Sequence, residues 1–233
     1  MDTRRMMSGL GIAVLALTAG VSQARDIFFD TFSGNQLRPH WQQPPPNHWE
    51  HTVADSRVTV SGLFHPGVPG QPNVALIAAE FPSWMGDRFV LTAQLGWDSG
   101  QARELAVRLL SNEGLELTIG YDELATGSPR VFLQRRQIPP PPWASAPAPN
   151  PGLHTFRLEQ TPDDVALYVN GQPIVALTGV PSGHINRVEL VFRGNDGAAL
   201  SPLHVGLVRI VPAPGSSAVI GGMVLLFAKR RRR

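Results

Sequence analysis

Short alternations of apolar and polar residues, repeated along most of the chain, constrain this fold more than any other feature. Residues 88–97 put Phe89, Leu91, Ala93, Leu95 and Trp97 on one side of an extended chain. Residues 103–110 do the same with Leu105, Val107 and Leu109, and residues 115–121 with Leu115, Leu117, Ile119 and Tyr121. Shorter runs recur at 27–32, 57–61, 74–81, 129–136, 154–159, 165–169, 173–177, 187–192 and 204–210. Successive side chains on a strand face opposite ways, so each run buries one face and wets the other. Asn170-Gly171, between two such runs, is the strongest hairpin signal. About twelve strands with turn residues between them predict an all-β fold of two antiparallel sheets packed face to face. The chain has no cysteine, so a packed core must hold it. Residues 25–210 are long enough for one such core.

The two ends read differently. In residues 1–24, Arg4 and Arg5 precede an apolar stretch at 10–19, and Ser22 and Ala24 are the small residues a signal peptidase reads. A secretory signal cleaved after Ala24 is expected. Thr3-Arg4-Arg5-Met6-Met7 leaves a twin-arginine route open beside the general one. Residues 211–233 run through Pro212, Pro214 and Gly215 into an apolar segment at 216–228, then Lys229, Arg230, Arg231, Arg232 and Arg233. As a helix, residues 216–228 reach roughly 20 Å, against a hydrocarbon core of ~30 Å. The basic cluster matches the cytoplasmic end of a transmembrane helix. A hydrophobic strand with a basic tail, or a nucleic-acid arm, is the competing reading.

These ends distort the charge of the whole. Two of the 20 basic residues lie in the leader and five in the tail, whereas only Asp2 of the 18 acidic residues does. The body keeps 13 cations against 17 anions, a net charge of −4. The overall excess of +2 belongs to the ends, and a nucleic-acid partner loses its main support.

The tail resembles the PEP-CTERM sorting signals read by exosortases: two prolines one residue apart, a short apolar helix and a terminal basic cluster. The family usually has Glu between the prolines, where this chain has Ala213. Gly221-Gly222 is also similar to the glycine pairs of tails read by rhomboid-type sortases. The resemblance implies export, a transient stay in the inner membrane, and delivery to the cell surface or extracellular matrix. Signal peptidase and an exosortase-like enzyme would be its partners.

The body resembles the concanavalin A-like lectin/glucanase superfamily, laminin-G-like domains included. The resemblance rests on Asp26 to Gly34 (D-I-F-F-D-T-F-S-G) and on His154 to Pro173 around the Asn170-Gly171 turn. It implies a jelly-roll sandwich over residues 25–210. Residues 138–152, with four consecutive prolines and Trp143, interrupt it as a polyproline-like surface loop, either inert or carrying Trp143 to a binding site. Calcium occurs in such domains, but Asp163-Asp164 and Asn195-Asp196-Gly197 read first as turns. No metal or cofactor is expected. His48 and His51 point to opposite faces of a strand and do not make a ligand pair.

Hydrolases of this superfamily similar to glycoside hydrolase family 16 carry E-x-D-x-E on one strand, so that three carboxylates share a face. The best-placed strand here offers Glu116, Thr118 and Gly120, one carboxylate where three are wanted. Asp122-Glu123 follow and would face opposite ways if the strand continued. If the central strands are neighbours, the non-core face carries Gln94, Arg108, Glu116, Thr118, Phe132, Gln134 and Arg136. Planar polar groups beside an aromatic ring suit sugar hydroxyls and the apolar face of a pyranose. An ordinary solvated sheet face is the alternative. The expectation is an exported, non-catalytic binding or structural protein, with polysaccharide as the candidate partner. The rival is a polysaccharide-active enzyme, hydrolase or lyase-like, with a non-standard active site.

Overall fold

A computed structural model describes residues 25–43, 50–63, 73–84, 88–98, 103–112, 114–123, 127–135, 143–179, 184–194 and 199–213. The leader and the tail beyond Ala213 lie outside these residues, so the expected sorting helix does too. Strands are numbered β1 to β15 in chain order. The first sheet runs β13 (Gln172–Thr178), β12 (Asp164–Val169), β11 (Gly152–Gln160), β6 (Phe89–Trp97), β15 (Ala199–Pro212), β4 (Arg57–Leu63) and β3 (Glu50–Ala54). β1 (Phe28–Asp30) also pairs with β15. The second runs β10 (Trp143–Pro147), β9 (Arg130–Arg135), β8 (Glu116–Asp122), β7 (Arg103–Leu110), β14 (Ile185–Gly194), β5 (Asn73–Trp84) and β2 (Trp41–Gln42). Every described pairing is antiparallel.

The core is built from the alternation. Leu91, Leu95, Trp97, Phe156, Leu158 and Val205 of the first sheet are out of solvent, as are Leu105, Leu109, Ile119, Val188 and Phe192 of the second. Trp97 and Tyr121 stack across the gap with ring centres 4.2 Å apart. Burial raises the Tyr121 phenol to about 12, helped by the bond its hydroxyl donates to Glu123 Oε2 at 2.9 Å. Asn170 and Gly171 both have positive φ and join β12 to β13 in a two-residue turn, the geometry a primed hairpin requires.

Asp30 joins the two sheets. It points into the core from β1, fully buried, and accepts bonds from Phe32 N at 2.6 Å and Trp41 Nε1 at 2.8 Å. His40 Nε2 lies 3.0 Å away. Trp41 belongs to β2 at the edge of the other sheet, so one carboxylate ties the two first strands together. Phe32 holds a positive φ to close this loop, a conformation costly for a bulky residue.

Two expectations change. The proline-rich interruption is partly a strand: Trp143–Pro147 pairs with Arg130–Gln134 as β10. Its one proline lies at the end of an edge strand, where the missing N–H costs no ladder bond. The body also extends past residue 210. Val211 and Pro212 pair with Val90 and Phe89, and Ala213 N donates to Arg88 O. Pro212, expected in the sorting tail, is therefore the last residue of β15.

Candidate carbohydrate-facing site

The register of the second sheet aligns side chains in rows across its outer face, because directly paired residues point the same way. One row reads Trp143, Gln134, Thr118, Arg108, Glu189, Ala78 and Gln42, with one residue from each of the seven strands. The next reads Ser145, Phe132, Gly120, Ala106, Val191 and Leu76. The one after it reads Pro147, Arg130, Asp122, Glu104, Arg193 and Val74. An apolar row thus lies between two polar ones. Phe132, Ala106 and Val191 pack together with Val74 and Leu76. Gly120 keeps this row low: a Cβ there would lie 2.2 Å from the Leu105 carbonyl oxygen.

Six of the sequence-derived candidates fall in this array. Arg108, Thr118, Gln134 and Trp143 share one row, Glu116 lies on β8 two residues from Thr118, and Phe132 sits in the apolar row. Trp143 is 54% exposed, so its ring is open to a ligand. Gln94 does not belong with them. β6 pairs with β11 and β15, not with β7, so the chain changes sheets between Trp97 and Arg103. Gln94 consequently faces outward on the opposite side of the sandwich, over Gly206. Arg136 lies outside the described residues.

Sequence reasoning passed over several charged side chains of this face. Glu80, Arg187 and Glu189 extend an ion-pair chain across β5, β14, β7 and β8. Arg187 lies 3.8 Å from Glu80 and 2.8 Å from Glu189, and Arg108 Nη1 lies 3.2 Å from Glu189 Oε2. Arg108 Nε is 3.1 Å from Glu116 Oε1, close enough for an ion pair but off the N–H axis. Thr118 Oγ1 donates to the same Glu116 oxygen at 3.3 Å. Arg108 thus bridges Glu116 and Glu189, and Arg187 holds Glu189 from its other side, as clamps of the sheet.

Glu104 is another, and its surroundings differ. It is directly opposite Asp122 on β8 and directly opposite Arg193 on β14, whose Nη1 donates to Glu104 Oε2 at 3.1 Å. Its side chain keeps 13% of its exposure. Burial pushes its carboxyl above the usual range, and Asp122 adds to this, while Arg193 and Arg108 oppose it. Two carboxylates facing each other across one strand pair, one of them biased toward its proton, are the elements of an acid–nucleophile pair. Parity could have found Glu104, since it shares its face with Arg108; Asp122 shares its face with Glu116. The pairing of β7 with β8 was needed to bring the two together.

Comparison with known proteins identifies the architecture. No family model and no curated protein sequence matches the chain. Solved structures do. The endo-β-1,3-glucanase of Pyrococcus furiosus is 13% identical with a TM-score of 0.65, over 82% of this chain and 96% of that one. The endo-1,3-β-glucanase of Streptomyces sioyaensis gives 13% and 0.64 over 81% and 96%, and the β-glucanase of Bacillus licheniformis 11% and 0.59 over 82% and 100%. The chain has the jelly-roll fold of these glucanases. This is the concanavalin A-like sandwich expected from the sequence. At such identities the likeness carries the fold and leaves the chemistry to the residues present. Among the described strands of the second sheet, none presents three carboxylates at alternate positions on its outer face.

Proposed function

We propose that the chain is a polysaccharide-active enzyme on a jelly-roll scaffold, with Glu104 and Asp122 as its reacting carboxylates. The observation that carries this is their direct opposition on β7 and β8 in the outer face of the second sheet. The expectation of a non-catalytic protein gives way to its alternative for two reasons. Glu104 and Asp122 stand opposed across two strands, where a single strand was expected to carry the acids, and the solved structures with this fold bear the names of endo-acting glucanases. Directly opposed residues have Cβ atoms ~4.5–5.5 Å apart. For carboxyl groups that stay as close as their Cβ atoms, this fits the ~5–5.5 Å of retaining hydrolysis better than the ~6.5–9.5 Å of inversion. Glu104 would protonate the leaving glycosidic oxygen while Asp122 attacks the anomeric carbon. Water then cleaves the glycosyl ester, returning its proton to Glu104. The row from Trp143 to Arg108 would seat the sugar chain, with the indole stacked on a pyranose face.

A panel of β-glucans and other exopolysaccharides incubated with residues 25–213 tests this. New reducing ends are expected, and Glu104→Gln should abolish them while retaining binding. Binding without products for the wild type would instead support a non-catalytic carbohydrate-binding domain, a reading favoured by the arginine-clamped Glu116 and Glu189. Trp143→Ala should weaken binding about tenfold under either reading, ~1.4 kcal/mol. We further propose export, membrane passage and surface sorting through the leader and the PEP-CTERM-like tail, with signal peptidase and an exosortase-like enzyme as processing partners.

A further inference from the structure

Two ion pairs staple β7 to β14 on the outer face, and they run in opposite directions. Arg108 of β7 donates to Glu189 of β14, and Arg193 of β14 donates to Glu104 of β7. Between them lies the buried Ala106–Val191 pair. The two carboxylates are not equivalent. Glu189 has arginines on two sides, Arg108 at 3.2 Å and Arg187 at 2.8 Å. Glu104 has one arginine partner, Arg193, and on its other side it meets the carboxylate of Asp122. Arg108 acts on it from along its own strand, and Arg130 stands beyond Asp122 on β9. One staple is therefore a doubly held clamp. The other sets Arg193, its one hydrogen-bonded arginine, and the more distant charge of Arg108 against burial and a like charge.

Resting on the reading of Glu104 as the reacting acid, we infer that Arg193 is a positioning residue, which aims that carboxyl and sets the pH at which it gives up its proton. The bond from Arg193 Nη1 to Glu104 Oε2 stabilises the ionised form and fixes the side chain's rotamer. Without it, burial and Asp122 act unopposed except by Arg108. An opposite charge within ~4–6 Å lowers a carboxyl's pKa by ~1–3 units, so its removal should raise the Glu104 midpoint by about one unit or more. Lysine at 193 would restore charge without the planar fork, and so restore most of the midpoint but less of the orientation.

Carbon-13 NMR titration of Glu104 in residues 25–213, with Glu104→Gln to assign the signal, tests this without any substrate. The expected result is an upward shift of about one unit in Arg193→Gln, largely reversed in Arg193→Lys, with the amide spectrum of the fold preserved. An unchanged midpoint in a folded Arg193→Gln protein would overturn the inference. If Arg193→Gln fails to fold, the Arg193→Lys titration and the chloride dependence of the wild-type midpoint decide it: a wild-type midpoint insensitive to salt, together with a Lys variant identical to wild type in both position and salt response of the midpoint, also overturns it. On an active protein the same variant should move the alkaline limb of kcat/KM upward by the same amount. A shifted NMR midpoint in a protein that cleaves no polysaccharide would leave the control of Glu104 by Arg193 standing and refute the enzymatic reading that gives it a catalytic role.

Discussion

Replacing Asp30 should unfold the body more readily than any single change on the sheet surfaces. The carboxylate is wholly buried and accepts from Phe32 N, Trp41 Nε1 and His40 Nε2, with Arg38 Nε at 3.6 Å. Bonds to a charged acceptor contribute ~1.5–3 kcal/mol each. Against that stands the cost of burying the charge, which the substitution relieves. Its loss leaves the buried Phe32 N–H and Trp41 indole N–H without an acceptor, at about 2 kcal/mol each and roughly 3–5 kcal/mol together. That is a large part of the ~5–15 kcal/mol that holds an ordinary domain together. At ~2–4 °C per kcal/mol for this size, Asp30→Ala should lower Tm by roughly 6–20 °C. Asp30→Asn should recover little, because its amide would turn donors toward the Trp41 indole N–H or the Phe32 N–H. Urea unfolding followed by tryptophan fluorescence reads both variants directly. A loss below ~1 kcal/mol for Asp30→Ala would refute the claim that this carboxylate joins the two sheets.

Three further outcomes follow from the geometry. Glu104 has a raised pKa in the fold, so the native state holds its proton more tightly than the unfolded chain. Its contribution must fall as pH rises from the ordinary glutamate value through the raised one. The urea midpoint of the wild type should accordingly decline against that of Glu104→Gln across that window, and parallel curves would contradict it. Gly120→Ala should destabilise by ~1–3 kcal/mol, since its Cβ would meet the Leu105 carbonyl at 2.2 Å; a calorimetric Tm equal to the wild type's would show that the strand pair yields freely. A chain ending at Ala213 should fold and, if the tail is its anchor, appear in the periplasm. One ending at Ile210 loses the pairing of Val211 and Pro212 and should melt lower, which a side-by-side thermal scan checks.

Much of the sandwich was legible because burial on one face of a strand writes a period of two into the sequence. The long runs around Phe89–Trp97, Arg103–Leu110 and Glu116–Asp122 are strands where alternation placed them. Trp41–Gln42 and Trp143–Pro147 left no such trace. An edge strand of two residues is too short to alternate, and one in a proline-rich setting has a composition that speaks for a loop. Alternation also assigned the outer-face parity of Arg108, Thr118, Phe132 and Gln134 correctly. It could not say which strands are neighbours, and so it placed Gln94 on the wrong side of the molecule.

That division has a physical cause. The sequence by itself determined the all-β class, the inward residues, the Asn170-Gly171 turn and the charge contrast between body and ends, because each follows from local geometry or from counting. Only the tertiary structure decided that Asp30 of the first sheet holds Trp41 of the second, and that Glu104 faces Asp122. Strand order is settled by how two whole sheets bury their faces together, a property that no single run of residues contains.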